Sequence, residues 1–323
     1  MEPIARKILV VGGNGFVGSA VCRTALARGF QVTSISSSGR PYTTPKGHSP
    51  AWTSKVNWQK ADALDPSTYA HLLPETSAVV HTLGTLLEDA RYKAALKEGD
   101  VFKLLGTFAS TFLGSESSNP LREEDKEGGY ATLNRDAALR VCEAFVSSTP
   151  STPLVHPRPF VYVSAEDIFR PFISPRYIET KREAECGIEH LTAGNAGYRA
   201  VYVRPSLIYH PHFRPLTSPV AALLDLSATM HASAPLQFPT PSKVLRAFGN
   251  SRTVSSRETL VHPSALDSVA NALVIPPIHV DHVAEAICIA ADETREDVRG
   301  VVDVKAMRRL IGWTEKGKEF EAA

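Results

Sequence analysis

Lys7-Ile8-Leu9-Val10-Val11-Gly12-Gly13-Asn14-Gly15-Phe16-Val17-Gly18 decides the architecture of this chain. Lys7 to Val11 is a β-branched run of the kind a strand buried on both faces requires. The glycines that follow fit GxGxxG through Gly13, Gly15 and Gly18, and equally GxxGxxG through Gly12, Gly15 and Gly18. Val17, Val21, Ala25 and Leu26 then recur at helical spacing, and Gly29 supplies a helix stop. A Gly-rich turn between strand and helix lets backbone N–H groups approach a pyrophosphate, and the helix N-terminus adds partial positive charge. The stretch from Gly12 to Gly18, including Asn14, Phe16 and Val17, is therefore the expected phosphate cradle of a dinucleotide.

Outward from this turn the rhythm repeats. Strands are predicted at Phe30 to Ser36, Val56 to Gln59, Ala78 to Thr82, Phe160 to Val163 and Arg199 to Val203. Helices are predicted at Tyr69 to Leu73, Ala131 to Val146 and Ile178 to Leu191. Such alternation implies an α/β fold, a doubly wound parallel sheet of Rossmann type with right-handed crossovers. Two stretches break the rhythm: an insertion at 86–129, and a Pro-rich excursion at 206–277 that reads as a small C-terminal substrate cap. The Rossmann domain then spans 1–205, with a returning helix and strand at 278–314 and a frayed tail at 315–323.

The 323 residues are 43% hydrophobic and 21% charged, which suits a packed core and excludes intrinsic disorder. No stretch reaches the ~20 apolar residues of a membrane span. A formal charge of +1 gives no reason to expect a nucleic-acid partner. That charge is unevenly distributed: Pro3 to Ala61 holds no acid and eight Lys or Arg, a local +8 that leaves −7 elsewhere. A basic end on a neutral chain asks for an anionic partner there. Cys22, Cys142, Cys186 and Cys288 lack metal-ligand spacing and read as buried thiols in a reducing compartment. His210-Pro211-His212, without a carboxylate or Cys at ligand spacing, reads as a loop pair, so no metal is expected.

The end of the second strand selects the dinucleotide. A carboxylate there would bond a ribose 2′-hydroxyl. The chain offers Ser36-Ser37-Ser38-Gly39-Arg40 instead, and hydroxyls with a guanidinium suit a 2′-phosphate. NADP (NADPH) is accordingly favoured over NAD. Asp62, after the third strand, is placed either to accept from the adenine amino group or to cap a turn.

Tyr177-Ile178-Glu179-Thr180-Lys181 is YxxxK. At i and i+4 on one helix face, an ammonium beside a phenol would favour the phenolate and lower its pKa, giving a usable acid or base. No GxSxG occurs, so a serine hydrolase has no support.

Together these residues resemble the short-chain dehydrogenase/reductase superfamily in its extended and atypical branches, over roughly Lys7 to Gly300. The order agrees: the glycine motif, Asp62 after strand three, Ser164 after strand five, YxxxK, then Val203-Arg204-Pro205. The resemblance implies proton transfer by Tyr177 and Lys181 during hydride transfer at nicotinamide, and contact of Lys181 with the cofactor ribose. It places Asn134 where the family's helix often carries Asn, and gives Ser164 or Asn134 the orienting of a carbonyl or water. Gly84 and Pro205 join the cofactor-binding set. The chain departs from the family in Val163-Ser164-Ala165-Glu166, where a single Ser stands and the aligned catalytic hydroxyl could fall at Ala165 or Glu166.

A narrower resemblance is to the fungal mitochondrial coenzyme Q biosynthesis group, akin to the NAD(P)-binding accessory subunit of respiratory complex I. Val11 to Gly18, Ser36 to Arg40, Val80-His81-Thr82-Leu83-Gly84-Thr85-Leu86-Leu87-Glu88, Tyr177 to Glu185 and Arg299 to Val304 carry it. It implies an atypical NAD(P)-binding reductase-like protein of ubiquinone biosynthesis, on the matrix side of the mitochondrial inner membrane, within a quinone-biosynthetic protein assembly. The apolar helix Val220 to Met230 would then touch a prenylated quinone intermediate or the membrane surface peripherally, or be an ordinary cap helix. Two other readings stay open: a non-catalytic NADP-binding assembly subunit, and a soluble cytoplasmic sugar-nucleotide epimerase or dehydratase.

Overall fold

The computed structural model describes residues 6–86, 129–170, 173–213, 217–234, 239–252 and 264–313. The insertion read at 86–129, but for its end residues, and the tail at 315–323 lie outside the described residues.

The strands in chain order are β1 (Lys7–Val11), β2 (Gln31–Ser36), β3 (Asn57–Lys60), β4 (Ala78–His81), β5 (Arg158–Val163), β6 (Tyr198–Val203), β7 (Ile208–Tyr209), β8 (Ile278–His279) and β9 (Gly300–Val302). Seven of them form one sheet in the order β3-β2-β1-β4-β5-β6-β9. Every pairing in it is parallel. The helices are α1 (Phe16–Ala27), α2 (Ala137–Ser147), α3 (Pro175–Thr192), α4 (Thr217–Ser233), α5 (Pro241–Arg252), α6 (Ala265–Val274), α7 (Val280–Ala290) and α8 (Val304–Leu310).

The apolar run of β1 works as a two-faced strand. Ile8 and Val10 point into one layer with Val21 and Ala25 of α1 and Val283 and Ile287 of α7. Leu9 and Val11 point into the other, with Val141 and Phe145 of α2 and Ala184 and Ile188 of α3. Period-two alternation between two helical layers is why Ile8 to Val11 carries no polar residue. Leu9 is fully buried, and Leu9→Ala would cost ~2–5 kcal/mol through lost burial and a cavity.

The chain order reverses between β1 and β4, so their loops leave in opposite directions. A crevice opens there at the carboxyl ends of the strands, where ligands of doubly wound sheets bind.

Several local expectations shift. The third strand runs one residue later than predicted, and the short helix near Tyr69 is a 3₁₀ turn, Ala70–Glu75, holding Pro74. Pro lacks the N–H that a continuing α-helix needs. Three cysteines are buried as expected, but Cys186 is exposed, because the outer side of α3 carries it. Between β6 and α7 the chain forms α4, which contains the predicted apolar helix Val220 to Met230, and also α5, α6 and a parallel β7–β8 pair that the pattern did not foretell. Two-residue strands are too short for any periodicity to register. α4 buries its small Ala221 and Ala228 and turns Val220, Leu223, Leu226 and Met230 outward. Among the described residues, no helix is long and apolar enough to cross a membrane.

Candidate functional site

The glycine turn is built around close approach. Gly12 has φ +87°, a conformation that L side chains rarely adopt. A Cβ on Gly18 would stand 2.2 Å from the Gly12 carbonyl oxygen, so α1 passes directly over the turn. One on Gly13 would lie 2.3 Å from Ser34 Oγ of β2. Gly15 is the N-cap of α1, with no side-chain cap and no acid in the first turn, which Phe16 and Val17 open. A helix start with neither cap nor acid keeps its positive end for an anion.

The loop after β2 is tied to this cradle. Asn14 Nδ2 donates to Ser38 Oγ at 3.2 Å, and Ser38 Oγ also accepts from Arg40 N at 3.3 Å. Ser36 Oγ accepts from Gly39 N at 3.1 Å. Gly39 has φ +63°, and a Cβ on it would meet Lys60 N at 2.7 Å, so the loop folds down onto the end of β3. Ser37, Ser38, Arg40 and Lys60 are exposed there. Of the eight cations in the acid-free segment, Arg6, Lys7, Arg23 and Arg28 pair with Asp292, Glu75, Asp281 and Glu285. Among the described residues Arg40, Lys46, Lys55 and Lys60 form no ion pair. Asp62 is exposed, and its Oδ1 accepts from Leu64 N at 3.0 Å as a turn cap.

On the other side of the crevice, Gly84, Asn134 and Lys181 come together. A Cβ on Gly84 would lie 2.8 Å from Lys181 Nζ and 3.0 Å from Asn134 Oδ1. Asn134 sits in a π-helical turn, Ala131–Asp136, that leads into α2. The widened turn aims its amide at the β4 loop: Oδ1 accepts from Thr85 N at 2.9 Å, while Nδ2 donates to Thr85 O at 3.3 Å and Thr180 Oγ1 at 3.4 Å. The Tyr162 hydroxyl donates to the Asn134 carbonyl. Asn134 is fully buried, so its amide positions a loop and does not reach toward a substrate carbonyl.

Lys181 also departs from expectation. Its ammonium donates to the Val163 carbonyl at 2.9 Å and stands 4.7 Å over the Tyr162 ring. Burial lowers its pKa from the usual lysine range to about 7, with Glu185 opposing the shift. The predicted depression of the Tyr177 phenol does not occur. Burial pushes that pKa upward, next the Tyr130 phenol adds to the rise, and Arg182 opposes it. The Tyr177 ring packs edge-on against Tyr130 and Phe169, at centroid distances of 6.1 and 6.3 Å.

Ser164 is committed as well. Its Oγ accepts from Arg182 Nη1 at 3.0 Å, and Arg182 also donates to the Ala165 carbonyl at 2.9 Å and to Glu185 Oε1 at 2.7 Å. Arg204, just after β6, clamps the other side of Glu185 through Nε and Nη2. The neighbouring Pro205 accepts from Glu166 N at 2.9 Å, tying the β5 and β6 loops together.

Sequence reasoning missed this Arg182–Glu185–Arg204 clamp, although Arg182 and Glu185 share the i, i+3 spacing and Arg204 stands in a recognised motif. It also missed the role of His81. That ring is fully buried beside Tyr162, and among the described residues neither nitrogen has a hydrogen-bond partner. Burial lowers its pKa to about 3, and the Lys181 charge adds to the effect. His210 spends Nδ1 on the backbone N–H groups of His212 and Phe213, as a loop residue does.

Known proteins share this frame. A model of the NAD dependent epimerase/dehydratase family matches residues 8–99. The protein called MIOREX complex component 2, from Saccharomyces cerevisiae, is 32% identical over 211 residues, 64% of this chain and 74% of that protein. A 2-alkyl-3-oxoalkanoate reductase from Stenotrophomonas maltophilia is 26% identical over 213 residues, 64% of this chain and 52% of that enzyme. The 3-oxoacyl-(acyl-carrier protein) reductase from Brucella melitensis, solved in complex with NAD, superposes with a TM-score of 0.56 at 12% identity, over 96% of this chain and 99% of that one. At that identity the superposition establishes the doubly wound fold.

Proposed function

We propose a function from the premise that this chain belongs to the NAD(P)-binding short-chain dehydrogenase/reductase superfamily, in its NAD-dependent epimerase/dehydratase family: it is an NADP(H)-binding, reductase-like protein of coenzyme Q biosynthesis in mitochondria. One observation carries the cofactor reading. The loop from Ser36 to Arg40 presents hydroxyls and an unpaired guanidinium beside Lys60, with no carboxylate at the end of β2. Gly12, Gly13, Gly15 and Gly18 would hold the pyrophosphate, Ser37, Ser38 and Arg40 the 2′-phosphate, and Asp62 the adenine edge.

A bound nicotinamide supplies or accepts a hydride. The missing side chain of Gly84 keeps clear the space beside Lys181 Nζ and Asn134 Oδ1, where a cofactor ribose would approach. The Tyr177 hydroxyl, held between two rings, is the donor assigned to a substrate carbonyl. Val163 anchors Lys181, and Asn134 anchors the Thr85 backbone that borders the same space.

The assigned setting is the matrix side of the inner membrane, in a quinone-biosynthetic assembly that handles a prenylated quinone intermediate. The motif resemblance and the likeness to a yeast complex component support it. The outward apolar residues of α4 support contact with a prenyl chain. A non-catalytic NADP-binding assembly subunit is the second reading, favoured by the commitment of Ser164 and Asn134 to protein partners.

Complementation of a quinone-deficient deletion strain tests the proposal. Wild type is expected to restore quinone and Gly15→Asp to fail. Full rescue by Tyr177→Phe would select the assembly subunit, and rescue by Gly15→Asp would remove the cofactor from the function.

A further inference from the structure

We propose that His210 and His279 form an acid-released latch: neutral, the two imidazoles hold the turn after β7 and the start of α7, and a proton on either ring releases the part it holds. Three observations carry it. His210 Nδ1 accepts from the backbone N–H groups of His212 at 3.1 Å and Phe213 at 3.2 Å. His279 is the N-cap of α7, and its Nδ1 accepts from Asp281 N at 3.2 Å. The two rings stand 5.0 Å apart, centroid to centroid, beside the register that pairs Tyr209 with His279. An imidazolium carries a hydrogen on both nitrogens and cannot accept. One proton on His210 therefore sets a donor against two backbone donors, and one on His279 removes the cap of α7.

The rings follow one another as a chain. Phe213 stacks on His210 at 4.2 Å, His212 lies 5.7 Å from it, His282 lies 5.8 Å from His279, and Trp313 lies 5.1 Å from His282. Among the described residues no three His, Cys, Asp or Glu side chains are placed to hold a metal ion. The charges facing the pair come from α1, α7 and α8. The Asp281 carboxylate, which would welcome an imidazolium, stands 3.9 Å from His279 Nδ1 and is held by Arg23 of α1. Arg308 of α8 faces His282, donates to the Pro277 carbonyl at 3.2 Å and stands 3.9 Å from Asp225 of α4. Burial lowers the His210 pKa, next His279 adds to the fall, then His212 and Arg23, and Asp281 opposes it. Two imidazolium rings at this spacing would also repel each other.

The latch is one of several ties between the sheet and the helices α4, α5 and α6. A second joins α6 to the loop after β5: Ser268 Oγ accepts from Arg170 N at 3.0 Å, and Asn271 Nδ2 donates to the Asp167 carbonyl at 3.1 Å. A third is the Ser206 hydroxyl, which donates to the Pro276 carbonyl at 2.6 Å. Neither of these bonds passes through a histidine, so acid frees the turn that leads toward α4 while α6 stays fastened.

Hydrogen–deuterium exchange of the His212, Phe213 and Asp281 amides in the full chain, at pH 7.5 and pH 5.5 and corrected for the intrinsic pH dependence of exchange, tests this. Wild type is expected to lose protection on the order of 10-fold for each histidine that binds a proton on opening, since an exposed imidazole with a pKa of about 6.5 fills across that span. The double variant His210→Asn, His279→Asn keeps an acceptor oxygen at both places without a titrating ring, and is expected to stay protected at pH 5.5. His279→Asn alone should confine the acid loss to His212 and Phe213. His210→Leu removes the acceptor and should leave those two amides unprotected at both pH values. Equal protection of wild type at the two pH values overturns the latch. So does an acid loss in the double variant as large as in wild type, or protection of His212 and Phe213 retained in His210→Leu.

Discussion

At the residue scale, the glycine motif separates into two physical demands. Gly18 has no room: its Cβ would overlap a backbone oxygen that cannot rotate away. Gly29 has room but a φ of +81°. Gly18→Ala is therefore expected to cost at least the ~1–3 kcal/mol of an overpacked site and to distort the cradle. Gly29→Ala should cost ~1–2 kcal/mol, the strain of a left-handed L-residue, and leave NADPH binding intact. Urea denaturation with parallel NADPH titration checks both. The spacing of these glycines was readable in the chain because the turn is local. His81 was not, since its burial depends on Tyr162 and Lys181, residues brought near it only by the sheet and α3.

His81 makes a second prediction. A histidine held neutral when folded, with a pKa near 3, but titrating near 6.5 when unfolded, binds its proton first in the unfolded chain. Its contribution weakens stability as pH falls from 6.5 toward 3. His81→Phe replaces two unpartnered nitrogens by apolar surface of similar shape, and is expected to preserve stability at pH 7 and flatten that acid slope. A steep acid slope retained in His81→Phe would show that other groups set it.

At the scale of elements, α3 does the most to shape the site. It carries Tyr177 and Lys181, as the YxxxK spacing implied, and also Arg182 and Glu185, which lock it to the β5 and β6 loops. Glu185→Gln breaks a largely buried pair and is expected to cost roughly 3 kcal/mol by denaturant melting. The sequence reading paired Lys181 with the phenol because both lie on one helical face. The ammonium instead reaches back to Val163, a carbonyl whose nearness depends on how α3 packs on β5.

Lys181 itself is lowered to about 7 when folded, against an ordinary 10.5. Above pH 7 the unfolded chain binds the proton and the folded chain does not, so this group makes stability rise with pH, by at most ~1.4 kcal/mol per pH unit. Wild type is expected to gain stability relative to Lys181→Met between pH 7 and about 9. Parallel curves would show the lysine to be charged or exposed.

Across the whole molecule, the alternating strands and helices were legible from Lys7 to Val203, because a parallel sheet forces long apolar runs between helical ones. The excursion before α7 was visible as broken rhythm with one apolar helix, Val220 to Met230. Its helices pack by long-range contacts, and β7 and β8 are too short to leave a pattern. The charge partition was also visible as composition, but only the fold divides it: four cations close onto acids from distant segments, and Arg40 and Lys60 remain at the carboxyl ends of β2 and β3. An anion site made of exposed cations is screened by salt. NADPH affinity is thus expected to fall with ionic strength more steeply than NADH affinity.

Paired fluorescence titrations of NADPH and NADH into wild type and Arg40→Ala probe the proposed 2′-phosphate site. Wild type is expected to bind NADPH at least ~10-fold more tightly than NADH, the worth of a charge-assisted hydrogen bond. Arg40→Ala is expected to erase that preference while leaving NADH binding within about 2-fold, since surface substitutions away from the contact change free energy by only a few tenths of a kcal/mol. Equal affinities for the two dinucleotides in wild type would rule out a 2′-phosphate site at Arg40.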